Sequence, residues 1–201
     1  MIDSVENPFL PDVNLWTPLH HATKENSIDV IILFIQRQHP IMPFNSHFHT
    51  PLHAAANWNQ TEAMEILMKN HHQIDPEDRH GWTPLHMTSS LGAFEAMLML
   101  IKHGHPLHCK TEHGLTPLHL FAYMPNEKAV QDLVDLGHDL NISSKDGDTP
   151  LHYAIRSRCR ESTKILLVAG ADLLAQNKRR QSPLSLTWKR QGDKEITTMI
   201  H

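Results

Sequence analysis

The sequence predicts an all-α solenoid of stacked helix–turn–helix units joined by β-hairpin-like connecting loops. Three observations lead to this fold class. The residues Thr-Pro-Leu-His recur at a constant interval, apolar residues follow each copy with helical spacing, and no residue is inserted or deleted between copies. A constant period of this kind is the sequence signature of a repeat architecture, in which each unit buries its apolar face against its neighbours.

The Thr-Pro-Leu-His motif marks the start of the first, or inner, helix of each unit. Complete copies begin every 33 residues, and a degraded Ser-Pro-Leu-Ser follows at the same interval; the starts are Thr17, Thr50, Thr83, Thr116, Thr149 and Ser182. A threonine suits the helix N-cap, and a proline suits the first helical position because its missing N–H has no intrahelical partner there. We therefore predict an N-terminal extension over residues 1–11 and six repeats over residues 12–201, the last being a C-terminal cap.

Glycine and asparagine recur in the turns and loops of the units, at positions where a left-handed backbone is expected. The turn between the two helices carries Asn26, Asn59 and Gly92; the end of the second, or outer, helix carries Gly104, Gly137 and Gly170; the connecting loop carries Gly81, Gly114 and Gly147. Other residues replace them at Leu15, Phe48, Pro125, Arg158 and Arg180. These replacements leave the local loop geometry open, especially in the fourth repeat.

The period and the motif resemble those of the ankyrin-repeat family over residues 12–201, nearly the whole chain. This resemblance implies a module that binds another protein on its concave face. It also implies a structural role for the motif residues, in which each histidine bonds the capping threonine and ties one repeat to the next. The residues that carry this role are Thr17, His20, Thr50, His53, Thr83, His86, Thr116, His119, Thr149 and His152.

Mapping the family's concave surface onto this chain gives a set rich in aromatic, apolar and basic residues. The expected protein-binding residues are Trp16, His47, His49, Trp58, His80, Trp82, Met87, Leu91, His113, Leu115, Tyr123, Met124, Tyr153, Arg156, Lys178 and Arg179. Binding hot spots favour Trp, Tyr and Arg, although Trp16 and Trp82 also have the alternative of packing locally. The expected groove is apolar in repeats two to five and basic at its C-terminal end. It suits a protein or peptide partner with hydrophobic anchors and some acidic residues.

Composition narrows the function classes. The net charge of -4 favours neither nucleic acid nor an anionic membrane, and no apolar run approaches the roughly 20 residues of a membrane span. Two cysteines without CxxC spacing favour a reducing compartment. We expect a soluble monomer in the cytoplasm, or in the host cytoplasm if the protein is secreted. The basic run Lys178-Arg179-Arg180 keeps the nucleus open as an alternative.

The 18 histidines raise the question of metal binding. Motif histidines lie one per repeat, and packed helices are about 8–10 Å apart, whereas zinc ligands lie about 2 Å from the ion. Equivalent histidines therefore cannot share an ion. The chain also lacks the common nucleophile, phosphate-loop and zinc-protease motifs. We expect no catalytic residue, no cofactor, no metal and no enzymatic activity.

These observations favour an adaptor, a scaffold or an inhibitor, and the composition leans towards a pathogen effector or host mimic. The alternative is the targeting arm of a larger enzyme whose catalytic domain is absent from this chain. The resemblance adds one modification, because asparaginyl hydroxylases act on ankyrin hairpins. Asn141 follows Asp139-Leu140 with Leu133 eight residues upstream, which is similar to the sequence context that they prefer.

Overall fold

The computed structural model describes residues 10–38, 43–70 and 74–189, and within them the chain is all-α, which confirms the predicted fold class. The helices of this described part alternate between inner and outer. They are α1 (Pro18–Lys24), α2 (Ile28–Gln36), α3 (Pro51–Asn57), α4 (Thr61–Lys69), α5 (Pro84–Leu91), α6 (Phe94–Lys102), α7 (Pro117–Tyr123), α8 (Glu127–Asp135), α9 (Pro150–Ser157), α10 (Arg160–Val168) and α11 (Pro183–Lys189).

Inner helices begin where the motif predicts. Thr17, Thr50, Thr116 and Thr149 have extended backbone and stand at the N-cap, and the following proline is the first helical residue. The restricted φ of proline is already helical, and its missing N–H is one that a first turn cannot satisfy. The motif therefore predicts the first residue of each of these helices.

The core consists of the motif leucines and two columns of the outer helices. Leu19 is 2% exposed, and Leu52, Leu85, Leu118 and Leu151 are fully buried. The outer helices contribute Ile31, Met64, Met97, Val130 and Thr163 in one buried column and Phe34, Leu67, Leu100, Leu133 and Leu166 in the other. Neither helix of a repeat could bury its apolar face alone, so the core depends on packing between helices.

The connecting loops keep one conformation even where glycine is replaced. Leu15, Phe48 and Arg180 have φ of 58°, 65° and 55°, close to the 70° of Gly81 and Gly114. The replacements therefore put strain into these turns and leave their path unchanged. Repeat four does differ in its inter-helix turn: Met124 is extended because the following Pro125 disfavours helical backbone at the preceding residue.

The chain divides into two compact units, which are described separately. Unit one comprises Met1–Thr88 and Glu95–His105, and unit two comprises Ser89–Phe94 and Pro106–His201. Unit one contains α1 to α4, and unit two contains α7 to α11. The outer helix of the sixth repeat would fall in residues 190–201, outside the described residues, so the count of six repeats stays a prediction.

Candidate functional site

The motif threonine and histidine of each complete repeat form one hydrogen-bonded group at the start of the inner helix. The backbone N–H of Thr17, Thr50, Thr83, Thr116 and Thr149 donates to Nδ1 of the histidine three residues later, at 3.1–3.2 Å. The threonine hydroxyl oxygen lies 2.9–3.1 Å from the same nitrogen. Each imidazole is thus held in place by the N-terminus of its own helix.

The other ring nitrogen of these histidines reaches the next repeat. Because Nδ1 accepts a hydrogen bond from an N–H, Nε2 carries the ring proton. Nε2 of His20, His53, His119 and His152 then donates to a carbonyl oxygen 29 residues later, at 2.9–3.0 Å. In each case that carbonyl directly precedes the next capping Thr or Ser, so the motif histidine links successive repeats.

Burial favours the neutral imidazole at His119 and His152. Desolvation lowers the pKa of His119 to about 4, against a partial opposing effect of its bond to the Asp148 carbonyl. The pKa of His152 is lowered for the same reason. A second ring proton on His119 would also face the Thr116 N–H donor across 3.1 Å. These histidines serve the scaffold and have no lone pair to offer a ligand.

A further column of hairpin residues was missed by the sequence analysis. A side-chain oxygen five residues before each capping residue accepts backbone N–H groups two and four residues later. Asp12, Asn45, Asp78 and Asn177 accept both bonds, and Thr111 and Ser144 accept the second. The signal was present in the sequence, since the column holds only Asp, Asn, Thr and Ser at the 33-residue interval.

Unit one exposes a pair of tryptophans. The rings of Trp16 and Trp58 meet edge to face, with centroids 5.8 Å apart at 85°. The ammonium of Lys24 lies 5.3 Å from the centre of the Trp58 ring. Trp16 is half-buried and also contacts the His20 and His21 rings, whereas Trp58 is 42% exposed. Local packing therefore orients Trp16, and Trp58 presents a large aromatic surface to solvent beside a cation.

The hairpin histidines of unit one fall into two classes. Nε2 of His49 lies 3.2 Å from Oδ2 of Asp78, and the His49 ring stacks on the motif His53 at 5.4 Å. Burial lowers the pKa of His49, although the Asp78 carboxylate acts in the opposite direction. His47 and His80 are exposed. His49 thus belongs to the hairpin structure, and the other two remain on the surface.

The expected exposure of Met87 needs correction. Met87 is only 8% exposed, and its equivalent in the preceding repeat, Ala54, is 2% exposed. In the second and third repeats this position of the inner helix is therefore buried by packing, whereas the equivalent His21 of the first repeat is exposed. At Met87 a flexible thioether side chain fills the available space. Trp82 is half-buried, with its ring centroid 6.1 Å from that of His86.

Unit two exposes further aromatic and apolar side chains. Tyr123 is 55% exposed and Leu91 is 49% exposed. The ring of Tyr153 is half-buried, meets the Tyr123 ring edge to face at 6.5 Å, and packs on the motif His119 at 5.4 Å. Of the remaining expected residues, Leu115 and Met124 are half-buried, and His113 is exposed with Nε2 3.4 Å from Glu112 Oε1.

The cations of unit two differ in their availability. The Arg156 guanidinium binds both carboxylate oxygens of the buried Asp148, which also accepts a bond from Asn177 Nδ2 at 2.7 Å. Burial alone would raise the pKa of Asp148, but these bonds outweigh it and hold the pKa below its usual range. Lys178 and Arg179 are exposed, and within the described residues no carboxylate lies in ion-pair distance of either. Arg156 is thus engaged within the fold, whereas Lys178 and Arg179 face solvent.

Groups that could support chemistry are scattered. Within residues 10–38, 43–70 and 74–189, no three His, Cys, Asp or Glu side chains lie close enough together to hold a metal ion. Cys109 and Cys159 are half-buried, and neither forms a disulfide within the described residues. The Cys159 thiol lies 3.2 Å from the Ser157 hydroxyl and 3.5 Å from the Tyr123 carbonyl oxygen, which is a packing environment.

Asn141 lies exposed in the loop between α8 and α9, where its amide is engaged. Its side-chain Oδ1 accepts the N–H of Asp172 at 2.8 Å, and its own N–H donates to Asp139 Oδ1 at 2.9 Å. The side chain thereby joins two successive loops of unit two. Its hydroxylation stays a prediction, and an enzyme would have to break the bond to Asp172 to reach the amide.

Comparison with known families agrees with this arrangement. A family model described as ankyrin repeats (3 copies) matches residues 40–111 and matches again over residues 99–177. The chain belongs to the ankyrin-repeat family. No curated protein sequence gives a significant match.

The ankyrin-repeat family has a general function. Ankyrin repeats are generally protein–protein interaction modules, and the family is typically non-catalytic. Among the described residues, every helix is too short or too polar to cross a bilayer.

Proposed function

We propose that this ankyrin-repeat chain binds another protein through two aromatic patches, one in each unit. Patch one consists of Trp16, Trp58 and Lys24, and patch two consists of Leu91, Tyr123 and Tyr153. The observation that carries the proposal is the exposure of Trp58 and Tyr123, at 42% and 55%. Both rings are also oriented by a neighbouring aromatic ring.

Exposed, oriented rings suit a binding anchor for a physical reason. Leaving an aromatic ring in water forfeits burial free energy of about 25 cal/mol per Å² of apolar surface, which a partner can recover. An edge-to-face neighbour reduces the number of conformations that the ring must lose on binding, so less entropy opposes association. Trp and Tyr accordingly dominate binding hot spots.

The exposed cations of the two units favour a partner segment with acidic residues among hydrophobic anchors. Lys24 lies beside Trp58 in unit one and also pairs with Glu25 at 3.3 Å. Lys178 and Arg179 are exposed, with no carboxylate in ion-pair distance in the described part of unit two. Complementary charge raises association rates and selects among partners. Such a module can serve as an adaptor, a scaffold or an inhibitor.

The test compares capture by the wild type with capture by Trp58→Ala, Tyr123→Ala and the double variant. Each immobilised protein is incubated with cell lysate, and bound proteins are quantified by mass spectrometry. We expect each single variant to bind the specific partner about thirty-fold more weakly, because a hot-spot aromatic contributes about 2 kcal/mol or more. Val168→Ala is the matched control, since Val168 is an 82% exposed apolar residue on the outer helix α10.

Two further measurements interpret the capture result. Circular dichroism and urea unfolding of every variant establish that lost capture does not come from lost folding. Lys178→Glu with Arg179→Glu should weaken capture of an acidic partner and reduce its salt dependence. Equal capture by the wild type and the folded double variant would contradict the proposal.

A further inference from the structure

The outer helix of the first repeat exposes apolar side chains at two positions that are buried or half-buried in the later outer helices. Val30 is 41% exposed and Leu33 is 44% exposed. The residues equivalent to Val30 in the next four repeats are buried, at 0–1% exposure: Ala63, Ala96, Ala129 and Ser162. The same helical position is therefore a packing position elsewhere in the chain and a surface position in α2.

Contacts in the later repeats show what this position faces. The N–H of Ala63 donates to Oδ1 of Asn26, in the turn that precedes α2. A cleft of about 450 Å³ between α8 and α10 is lined on the α10 side by residues that include Glu161, Ile165 and Val168. Their equivalents in α2 are Asp29, Leu33 and Gln36. These residues, with Val30 and Arg37, form a face of α2 that corresponds to the one that later outer helices turn towards the preceding repeat.

The size of Val30 argues against another ankyrin repeat as the occupant of this face. In later repeats the position holds alanine or serine, which lets the preceding outer helix approach closely. Valine adds two carbon atoms to alanine at the closest contact, and tightly packed interfaces tolerate such additions poorly. The face therefore suits a helix that packs in a different register.

The charges on this face are arranged to complement a second copy of the same helix. Asp29 and Arg37 stand four residues before and four residues after Leu33. Both are exposed, and neither has an ion-pair partner within the described residues. If two copies of α2 pack antiparallel about a two-fold axis at Leu33, Asp29 of each copy meets Arg37 of the partner subunit. A two-fold interface is self-complementary in this sense, because each contact occurs twice.

We propose that α2 is a self-association face through which two copies of this chain form an antiparallel helix pair centred on Leu33. Val30 and Leu33 supply the apolar contact, and the Asp29–Arg37 pairs set its direction. The proposal goes beyond partner binding by the aromatic patches and replaces the expectation of a monomer. It uses none of the residues of those patches, so the two proposals can fail separately.

The first test measures mass against concentration. Sedimentation velocity of the full chain from about 1 to about 200 μM should show a rising fraction of a species with twice the mass of one chain. Leu33→Glu should shift the midpoint of dimerisation at least ten-fold to higher concentration, because it buries two like charges at the axis. Val168→Glu, the same kind of change on an exposed residue of α10, should leave the midpoint unchanged.

The second test addresses direction. Asp29→Arg and Arg37→Asp should each weaken dimerisation, since each places like charges together across the axis. The double variant Asp29→Arg/Arg37→Asp restores opposite charges and should recover most of the wild-type dimer. In a parallel pair each residue would lie beside its own counterpart, so every variant would place like charges together, as the wild type does. Equal dimerisation of the wild type, both single variants and the double variant would therefore overturn this part of the proposal.

The third test fixes the register by cross-linking. In a Cys109→Ser/Cys159→Ser background, Leu33→Cys should form an intermolecular disulfide readily, because residue 33 meets itself at the axis. Val30→Cys is the matched control and should cross-link poorly, since two such residues are about 9 Å apart along an antiparallel helix pair. A wild type that stays monomeric at about 200 μM, or a Leu33→Glu variant that dimerises normally, overturns the proposal. Unchanged dimerisation by Trp58→Ala/Tyr123→Ala separates this result from the partner-binding test.

Discussion

Two separate constraints favour glycine in the connecting loops. One is the left-handed backbone of the glycine itself, and the other is the close approach of the next connecting loop. Gly114 has φ of 70°, and a Cβ there would lie 2.9 Å from the backbone N of Lys145. That same N–H donates to the His113 carbonyl at 2.8 Å, so the close approach is part of the contact between hairpins. Where Phe48 stands at the equivalent position, the corresponding bond from Arg79 to His47 is longer, at 3.3 Å. The link to the next connecting loop is thus longest beside Phe48, and beside Leu15 it is 3.0 Å.

A pair of glycine substitutions separates these constraints. Gly137→Ala places alanine at φ of 80° with no atom within 4 Å of its Cβ, so it should cost only the left-handed strain of about 1 kcal/mol. Gly114→Ala adds a backbone collision and should cost at least about 1 kcal/mol more. Urea unfolding of the two variants beside the wild type gives both values. Equal losses of unfolding free energy in the two variants would mean that the contact between connecting loops accommodates a methyl group without cost.

Packing between elements is reinforced at the turns that lead into the outer helices. The residue before α4, Gln60, donates from Nε2 to the Lys24 carbonyl at 2.7 Å. The equivalent residue before α8, Asn126, donates from Nδ2 to the Gly92 carbonyl at 2.9 Å. Asn126 also accepts the N–H of Ala129 at 3.2 Å and so caps α8. One side chain therefore starts a helix and fastens it to the turn of the preceding repeat.

Asn126→Ala should reveal both functions at once. The change removes an N-cap, at about 1 kcal/mol, and leaves the Gly92 carbonyl without that bond, so we expect a total loss of about 2 kcal/mol. Ser27→Ala is the control, because Ser27 stands at the N-cap of α2 without a side-chain capping bond. Chemical unfolding of both variants measures the difference. If Asn126→Ala and Ser27→Ala are equally stable, the two Asn126 bonds add nothing to the fold.

At the level of elements, the sequence predicts a feature when the residues that determine it lie close together in the chain. Helix starts were predictable, since an N-cap and a proline act within one turn, as at Thr50 and Pro51. The burial of Met87 was not, because it depends on which face of the inner helix neighbouring repeats cover. The orientation of Trp58 by Trp16 could not be predicted either, because the two rings belong to different repeats. Side chains that contact across repeats carry the candidate site, so the site is less predictable than the fold.

Across the molecule, buried neutral histidines couple folding to pH. Burial lowers the pKa of His138 to about 4; its Nδ1 donates to the Asp139 carbonyl, and its Nε2 is buried. The rings of His138 and the exposed His108 meet at 4.7 Å, and the charge of His108 adds to the lowering of the His138 pKa. Together with His119, His138 is therefore neutral in the folded state near pH 7.

The sign of the resulting pH dependence follows from proton counts. In the unfolded chain a histidine takes up its proton near pH 6.5, whereas His119 and His138 in the folded chain stay neutral until about pH 4. Between these values the unfolded state binds more protons, so the free energy of unfolding is greatest above pH 6.5 and falls as the pH is lowered towards 4. Each residue can contribute about 3 kcal/mol to this loss, with a slope of about 1.4 kcal/mol per pH unit.

The histidine effect can be isolated by changing one residue. His138→Ala places alanine where the fifth repeat has the buried Ala171, so the fold has a precedent for it. The variant should lose about 1 kcal/mol per pH unit from the wild-type slope between pH 6 and pH 4.5, because one proton no longer links to unfolding. His108→Ala, which removes an exposed histidine, should change the slope much less. Urea unfolding at a series of pH values measures the slopes, and identical slopes for His138→Ala and the wild type would show that His138 titrates alike in both states.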